Sequence, residues 1–341
     1  MASSALTVTD LSVSFGRGRL EVVSNLMLEI GPGEALGLVG ESGSGKSLTA
    51  RAIMGLLPAG ASASGKIVFE GKALLDLPPR EMQRLRGARI SMIFQDPMSS
   101  LNPVLRVGAA IAQVVRSHQR VTATEAGERA VALMERVGIR DARERARAYP
   151  HQFSGGMRQR IMIAMALAAG PTLLLADEPT TALDVVVQDG ILKLLTELRR
   201  EKGMGLLFVS HDLAVVGRIS DRIAVMYGGQ IVEEGPTSQI LSRPHMPYTL
   251  GLIASVRRDR SAARLGSIPG APPAPGERPA GCRFATRCPL AIDACRAGSI
   301  PCVPVGAGHW ARCIRTADAR NLTASDFVSD RPRSAGERRH G

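Results

Sequence analysis

Gly40-Glu41-Ser42-Gly43-Ser44-Gly45-Lys46-Ser47 has the spacing G-x-x-x-x-G-K-S. Glycines let backbone N–H groups converge on phosphate oxygens with no Cβ in the way. A helix that starts there points its positive end at the same anion. Lys46 suits the terminal phosphates of a nucleotide, and Ser47 offers a hydroxyl to Mg²⁺. A second set of groups closes an apolar run, Thr172-Leu173-Leu174-Leu175-Ala176-Asp177-Glu178-Pro179. A carboxylate at the C-terminal end of a parallel strand lies beside such a loop. Asp177 then suits a water-mediated Mg²⁺ contact and Glu178 suits polarising an attacking water. Val209-Ser210-His211-Asp212 repeats the strand-then-polar pattern, so His211 is a candidate for touching the γ-phosphate and orienting that water. Ser154-Gly155-Gly156 opens a long Ala- and Met-rich helical stretch and makes a second anion site.

Those residues need elements to carry them. Residues 5–32 alternate apolar and polar positions around Gly16 and Gly18, which predicts antiparallel strands joined by a turn. Ala35–Val39 is a short apolar run, the mark of a buried parallel strand, and a helix is expected over 46–57. Further strands are expected at 66–70, 89–94, 172–176 and 205–209, with helices at 187–201 and 212–219. Residues 105–149 carry Ala, Arg and Glu at helical spacing, for example Ala130, Leu133, Met134 and Val137, and read as a helical insertion. Alternating strand and helix patterns imply an α/β fold with a parallel sheet.

The pattern changes near residue 245. Ser267–Ala280 holds five prolines and is expected to run extended on the surface. All five cysteines follow it, between Cys282 and Cys313. Residues 257–341 hold 15 Arg and no Lys against 7 acids, so +8 of the net charge of +12 sits in the last quarter. Such a tail suits nucleic acid or anionic lipid, or is a solvated surface. Residues 320–341 are expected to be disordered. A composition of 45% hydrophobic and 22% charged residues excludes a mainly disordered chain. The best apolar candidate, Ile161–Ala176, is shorter than a membrane span and is broken by Gly170-Pro171. The N-terminus has no signal-peptide pattern, so a cytosolic protein is expected.

The phosphate loop, the second anion site and Gln95 after the strand Ile90–Phe94 together resemble the ATP-binding-cassette (ABC) ATPases over roughly residues 5–245. The resemblance implies a P-loop NTPase (RecA-like) cassette with an antiparallel β subdomain and a helical subdomain over 96–165. It implies that Gly40, Glu41, Ser42, Gly43, Ser44, Gly45, Lys46 and Ser47 form the Walker A loop. By the same resemblance, Asp177 and Glu178 look like the Walker B end and catalytic glutamate, and His211 like the switch histidine. Gln95 is the Q-loop glutamine, a Mg²⁺ contact. Ser154, Gly155 and Gly156 are the signature motif, and Ala182-Leu183-Asp184 the D-loop. Catalysis would then fall to Glu178, His211 and Lys46, with ATP and Mg²⁺ bound, the metal by Ser47, Gln95 and Asp177. Phe15 stands where the family has an adenine-stacking tyrosine. Phe153 and Met157 flank the signature where Leu and Gln are common. In that family two cassettes pair head to tail, the signature of one completing the ATP site of the other, and the resemblance implies the same pairing here.

A narrower resemblance rests on Phe94-Gln95-Asp96-Pro97, Ser99-Ser100-Leu101-Asn102-Pro103 and Arg243-Pro244-His245-Met246-Pro247-Tyr248-Thr249. These are similar to the oligopeptide/dipeptide importer ATPases, with Met246 in place of a usual His. That group carries a cysteine-containing C-terminal extension, expected here over 246–319. Clustered cysteines in a cytosolic chain suggest metal or redox chemistry, and C-x₂-C zinc pairs are absent. Four thiolates suit an iron–sulfur cluster; free thiols packed in a small subdomain are the alternative. The resemblance implies Cys282, Cys288, Cys295 and Cys313 as ligands of a [4Fe-4S] cluster, with Cys302 spare. It further implies a peripheral subunit on the cytoplasmic face of the membrane, partnered by a second ATPase subunit, two permeases and an extracytoplasmic solute-binding protein. The alternatives are a nickel or other-solute importer ATPase and, less in keeping with a single cassette, a non-transport ABC ATPase acting on nucleic acid. With 58 residues (Asp96–Phe153) between Gln95 and Ser154 there is no room for a long coiled coil, and no nucleic-acid partner is expected.

Overall fold

The computed structural model describes residues 5–16, 19–96, 100–181, 183–256 and 268–327. Expectations at Gly18, at Pro97 and Ser99, at Ala182 and over 328–341 lie outside the described residues. The chain divides into two compact units after Ile231.

Among its described residues the first unit holds nine strands: β1 (Leu6–Phe15), β2 (Leu20–Ile30), β3 (Ala35–Val39), β4 (Ala61–Phe69), β5 (Lys72–Ala73), β6 (Ile90–Ile93), β7 (Leu173–Asp177), β8 (Gly205–Ser210) and β9 (Arg222–Tyr227). An antiparallel sheet has the order β2-β1-β4-β5. A parallel sheet has the order β9-β3-β8-β7-β6. Every residue of β3, β7 and β8 is buried, which is why they read as unbroken apolar runs. The parallel register sets Val39 beside Ser210 and Asp177 beside Val209. The polar residues that follow all three strands therefore emerge at one edge.

Among the described residues between β6 and β7 are the helices Val107–His118, Ala123–Arg136, Ala142–Arg145 and Gly155–Leu167. The second is held at its start by a reciprocal pair: the Thr122 hydroxyl accepts from the Glu125 amide at 3.2 Å, and the Glu125 carboxylate accepts from the Thr122 amide at 2.7 Å. Ala126, Ala130 and Met134 form its buried stripe.

Several elements differ from expectation. The first helix stops at Ile53, short of 57, because Gly55 follows in a left-handed conformation. Strand β4 begins at Ala61, through a Ser/Ala/Gly stretch with little strand propensity, because β1 pairs with it from Phe15↔Ala61 to Leu6↔Phe69. Strand β9 and helix Pro79–Leu85 fall where the sequence reading placed nothing.

The second unit takes up the chain inside β10 (Gln230–Pro236) and includes β11 (Val303–Gly306) and β12 (His309–Ala311). Glu233 of β10 pairs with Ala311 of β12, so this strand belongs with the C-terminal segment and the unit begins before residue 245. The proline-rich stretch is irregular, with one short turn at Pro275–Glu277, and the Arg287 guanidinium donates to the carbonyls of Ile268 and Pro269 at 3.0 and 2.9 Å. At the start of the expected disordered tail, Ala324–Phe327 form a short 3₁₀ turn, and Phe327 is buried.

A buried carboxylate organises this unit. Glu233 has no exposed surface and its Oε1 accepts from the His245 amide at 2.6 Å and pairs with His309 Nε2 at 2.9 Å. Its Oε2 accepts from the Met246 amide at 3.3 Å. Burial, reinforced by the Arg320 charge, pushes the nearby His245 below the usual histidine range. Removing one partner of such a group leaves donors buried without acceptors. Glu233→Ala is expected to cost about 3–5 kcal/mol of stability. Urea unfolding followed through Trp310, the chain's one tryptophan, checks this; an unchanged midpoint contradicts it.

Candidate functional site

The loop 40–47 runs from β3 into the helix Lys46–Ile53. Two of its glycines are sterically required. A Cβ on Gly40 would sit 2.0 Å from the Met226 carbonyl oxygen. Gly45 has φ +104°, and a Cβ there would meet Met226 Cε at 2.9 Å. The helix's first N–H groups have no intrahelical acceptor and face the loop's concavity. The Ser44 hydroxyl is buried without a hydrogen-bond partner among the described residues. A cradle closed to Cβ atoms, with an orphaned hydroxyl, fits a phosphate group.

Lys46 is 5% exposed and its Nζ donates to the carbonyls of Gly40 and Glu41 at 2.8 and 2.9 Å. Burial lowers its pKa, against the pull of Glu178, Asp177 and Glu41. Ser47 Oγ donates to Asp177 Oδ1 at 2.8 Å. Asp177 is buried, and burial raises its pKa, with Glu178 adding repulsion and the Ser47 bond opposing both. Glu178 has φ +47°, a left-handed backbone that costs a non-glycine residue about 1–3 kcal/mol. Its Oε2 accepts from Thr181 Oγ1 at 2.8 Å and Gln95 Nε2 at 3.3 Å, and lies 3.2 Å from His211 Nδ1. The structure thus brings Gln95, Glu178 and His211 together, and Lys46, Ser47 and Asp177 together. Thr181 is the member the sequence reading missed; its one signal was a hydroxyl three residues after an acid on a turn.

Ser154, Gly155 and Gly156 form a separate group. The Ser154 side chain caps its helix by accepting from the Met157 amide at 3.4 Å. A Cβ on Gly156 would lie 2.5 Å from Val187 Cγ1, so the signature-like turn is pressed against the helix Val185–Lys202. Asp184 caps that helix, accepting from the Val187 amide at 2.9 Å. Among the described residues, Ser154–Gly156 make no hydrogen bond to the 40–47 loop. Phe15 ends β1, half-buried, in register with Leu20 and Ala61.

In the second unit, Cys282, Cys288, Cys295 and Cys313 line one small cavity with Met246, Leu290 and Ile300. Cys302 is exposed and is not part of it. Burial raises the Cys282 thiol and pushes Cys288 and Cys313 up to about 11 and about 12. Among the described residues, no three His, Cys, Asp or Glu side chains are set to hold a metal ion, and no helix is long and apolar enough to cross a membrane.

Residues 23–181 match the family model described as ABC transporter, and residues 232–295 match the one described as oligopeptide/dipeptide transporter, C-terminal region. The oligopeptide transport ATP-binding protein OppD of Salmonella typhimurium is 48% identical over 297 residues, covering 86% of this chain and 89% of that protein. The chain belongs to the ABC transporter family. OppD of Bacillus subtilis is likewise 48% identical over 293 residues, 84% of this chain and 82% of that protein. Among solved structures, a dimeric post-hydrolysis state of the ATP-binding cassette MJ0796 bound to ADP and Pi superimposes with a TM-score of 0.62 at 28% identity. It covers 68% of this chain and 98% of that one. The cbiO1 protein of Clostridium perfringens, part of the transporter complex cbiONQ, gives 0.62 at 26% identity, covering 73% and 95%. These structures confirm the expected cassette fold.

The cysteines of this ABC protein supply a direct chemical test of the cavity. In metal-free protein at neutral pH, a thiol reagent is expected to label Cys302 at least tenfold faster than Cys288 or Cys313, because only the thiolate reacts and theirs is scarce and enclosed. Timed quenching with mass spectrometry measures the rates; equal labelling of all five contradicts the cavity.

Proposed function

We propose that the chain is the ATP-hydrolysing subunit of an importer for di- and oligopeptides. The observation that carries this is the meeting of a phosphate cradle, a Ser47–Asp177 pair and the Gln95–Glu178–His211 group at one sheet edge, in a chain whose C-terminal segment matches the peptide-transporter model. ATP lies with its phosphates in the 40–47 loop, and Lys46 turns from the loop carbonyls to the β- and γ-phosphates. Ser47, Asp177 and Gln95 would hold Mg²⁺, which would supply neutralisation of the phosphate charge when bound. Glu178 takes a proton from the attacking water. The water oxygen bonds to the γ-phosphorus as the bond to the β,γ-bridging oxygen breaks, giving ADP and inorganic phosphate. His211 orients the γ-phosphate, and Phe15 stacks on the adenine.

Ser154, Gly155 and Gly156 serve the site of a second cassette, with Asp184 closing the turn that follows Glu178. That Ser154–Gly156 make no hydrogen bond to the loop of the same chain, among the described residues, supports such a split site. The subunit lies on the cytoplasmic face of the membrane, docked on two permeases that receive solute from a binding protein outside. Cassette closure on ATP and opening after hydrolysis drive the permeases. The segment 246–319 is the family's extension. Cys282, Cys288, Cys295 and Cys313, four enclosed thiols around one cavity, would be the ligands of an iron–sulfur cluster, which would supply cross-links that a reducing compartment denies to disulfides; as they stand, no three of them are set to hold a metal ion, so a cluster would have to draw them together.

Two variants test the ATPase reading in the assembled transporter. Glu178→Gln is expected to keep ATP affinity and lower turnover at least a hundredfold, since the water loses its proton acceptor. Lys46→Ala is expected to weaken nucleotide binding itself. Near-normal turnover in Glu178→Gln overturns the assignment. The coupling is tested separately: the isolated subunit should hydrolyse ATP at least tenfold more slowly than the assembled one, and full activity in a strictly monomeric chain contradicts the split site.

A further inference from the structure

Glu178 carries one unequal feature. All three of its side-chain partners lie on Oε2: Thr181 Oγ1 at 2.8 Å, His211 Nδ1 at 3.2 Å and Gln95 Nε2 at 3.3 Å. Oε1 has no hydrogen-bond partner among the described residues. One oxygen is therefore saturated and the other is open. A carboxylate held in this way has a fixed rotation about its last bond and one defined oxygen to offer a water.

The three donors are not equivalent. Gln95 and the His211 side chain, 56% exposed, come from distant parts of the chain, and both contacts are long. Thr181 is closest and arrives on the same turn, whose backbone closes with the Thr181 amide donating to the Glu178 carbonyl at 3.2 Å. Its β-branched side chain has few χ1 options, so the hydroxyl is aimed by the backbone. That backbone is anchored on both sides. The Glu178 amide donates to the Val209 carbonyl at 2.9 Å, and Gln188 Nε2 donates to Thr180 Oγ1 at 3.3 Å. Asp184 then caps the helix that follows.

We infer that Thr181 is a positioning residue for ATP hydrolysis: its hydroxyl pins Glu178 Oε2 and so turns Oε1 toward the attacking water. The inference rests on the reading of Glu178 as the proton acceptor. It gives the turn 178–184 a task of its own. Because Thr181 and Asp184 share that turn, a shift of the turn when a second cassette docks would rotate the Glu178 carboxylate.

The test uses the assembled transporter with MgATP, measuring kcat, KM and nucleotide affinity for Thr181→Val, Thr181→Ala and Thr181→Ser. Val keeps the shape and removes the donor; Ser keeps the donor. Loss of one hydrogen bond to a charged group is expected to lower kcat about tenfold. In Val and Ala, kcat should fall by that amount with KM and affinity within about twofold of the wild type, while Ser stays within about twofold in kcat. The Ala variant carries the test if Val does not assemble. Wild-type kcat in Val and Ala overturns the inference. So does a Ser variant as slow as Val, which would mark a packing role, or a rise in KM at unchanged kcat, which would mark a binding role. Glu178→Gln in the same assay separates the two levels. If it keeps turnover, the reading of Glu178 falls; if it is dead while Thr181→Val is normal, only the role of Thr181 falls.

Discussion

The buried ammonium of Lys46 is the constraint from which the rest of the first unit follows. An amine this enclosed needs acceptors, and here they are two carbonyls of its own loop. The loop can fold back on the lysine only because Gly40 and Gly45 let it pass against Met226 of β9. The anionic groups that balance the charge, Asp177 and Glu178, come from β7, two strands away in the order β3-β8-β7. A parallel register with all three strands ending together is what delivers them. The cradle, the Ser47–Asp177 pair and the Gln95–Glu178–His211 group are thus one consequence of strand order and strand length.

Strain enters where the chain leaves that sheet. Glu178 holds a left-handed backbone just before a proline, and the surrounding bonds keep it there. Such a conformation is tolerated when the contacts around it over-determine it. The same turn leads on to Asp184, whose cap orders the helix against which Gly156 packs. Glu178 and the Ser154–Gly156 turn are therefore linked by the backbone from 178 to 187 together with the packing of Gly156 on Val187.

Much of this was legible in the sequence. The loop 40–47 announces itself through glycine spacing, and the acids at 177 and 178 through the apolar run before them. The fully buried strands read as such because both of their faces are covered. Other parts carried no local signal. The first half of β4 is Ser-, Ala- and Gly-rich, and only its pairing with β1 makes it a strand. Thr181 owes its place to a turn whose left-handed residue is not a glycine, which no propensity announces. The Glu233–His309 pair joins residues 76 apart in sequence. The cysteines were visible as a cluster, and the family resemblance already set Cys302 apart; the structure leaves Cys302 exposed and lines one cavity with the other four.

Retention of ADP by orthovanadate tests the central claim most directly, because vanadate takes the place of the γ-phosphate between Lys46 and Glu178. The assembled transporter, incubated with MgATP and vanadate and then stripped of free nucleotide, should keep ADP bound in a Mg²⁺-dependent manner. The Lys46→Ala protein should keep none. Assembled wild-type protein that turns over ATP yet traps no ADP, or traps it equally without Lys46, would contradict the account.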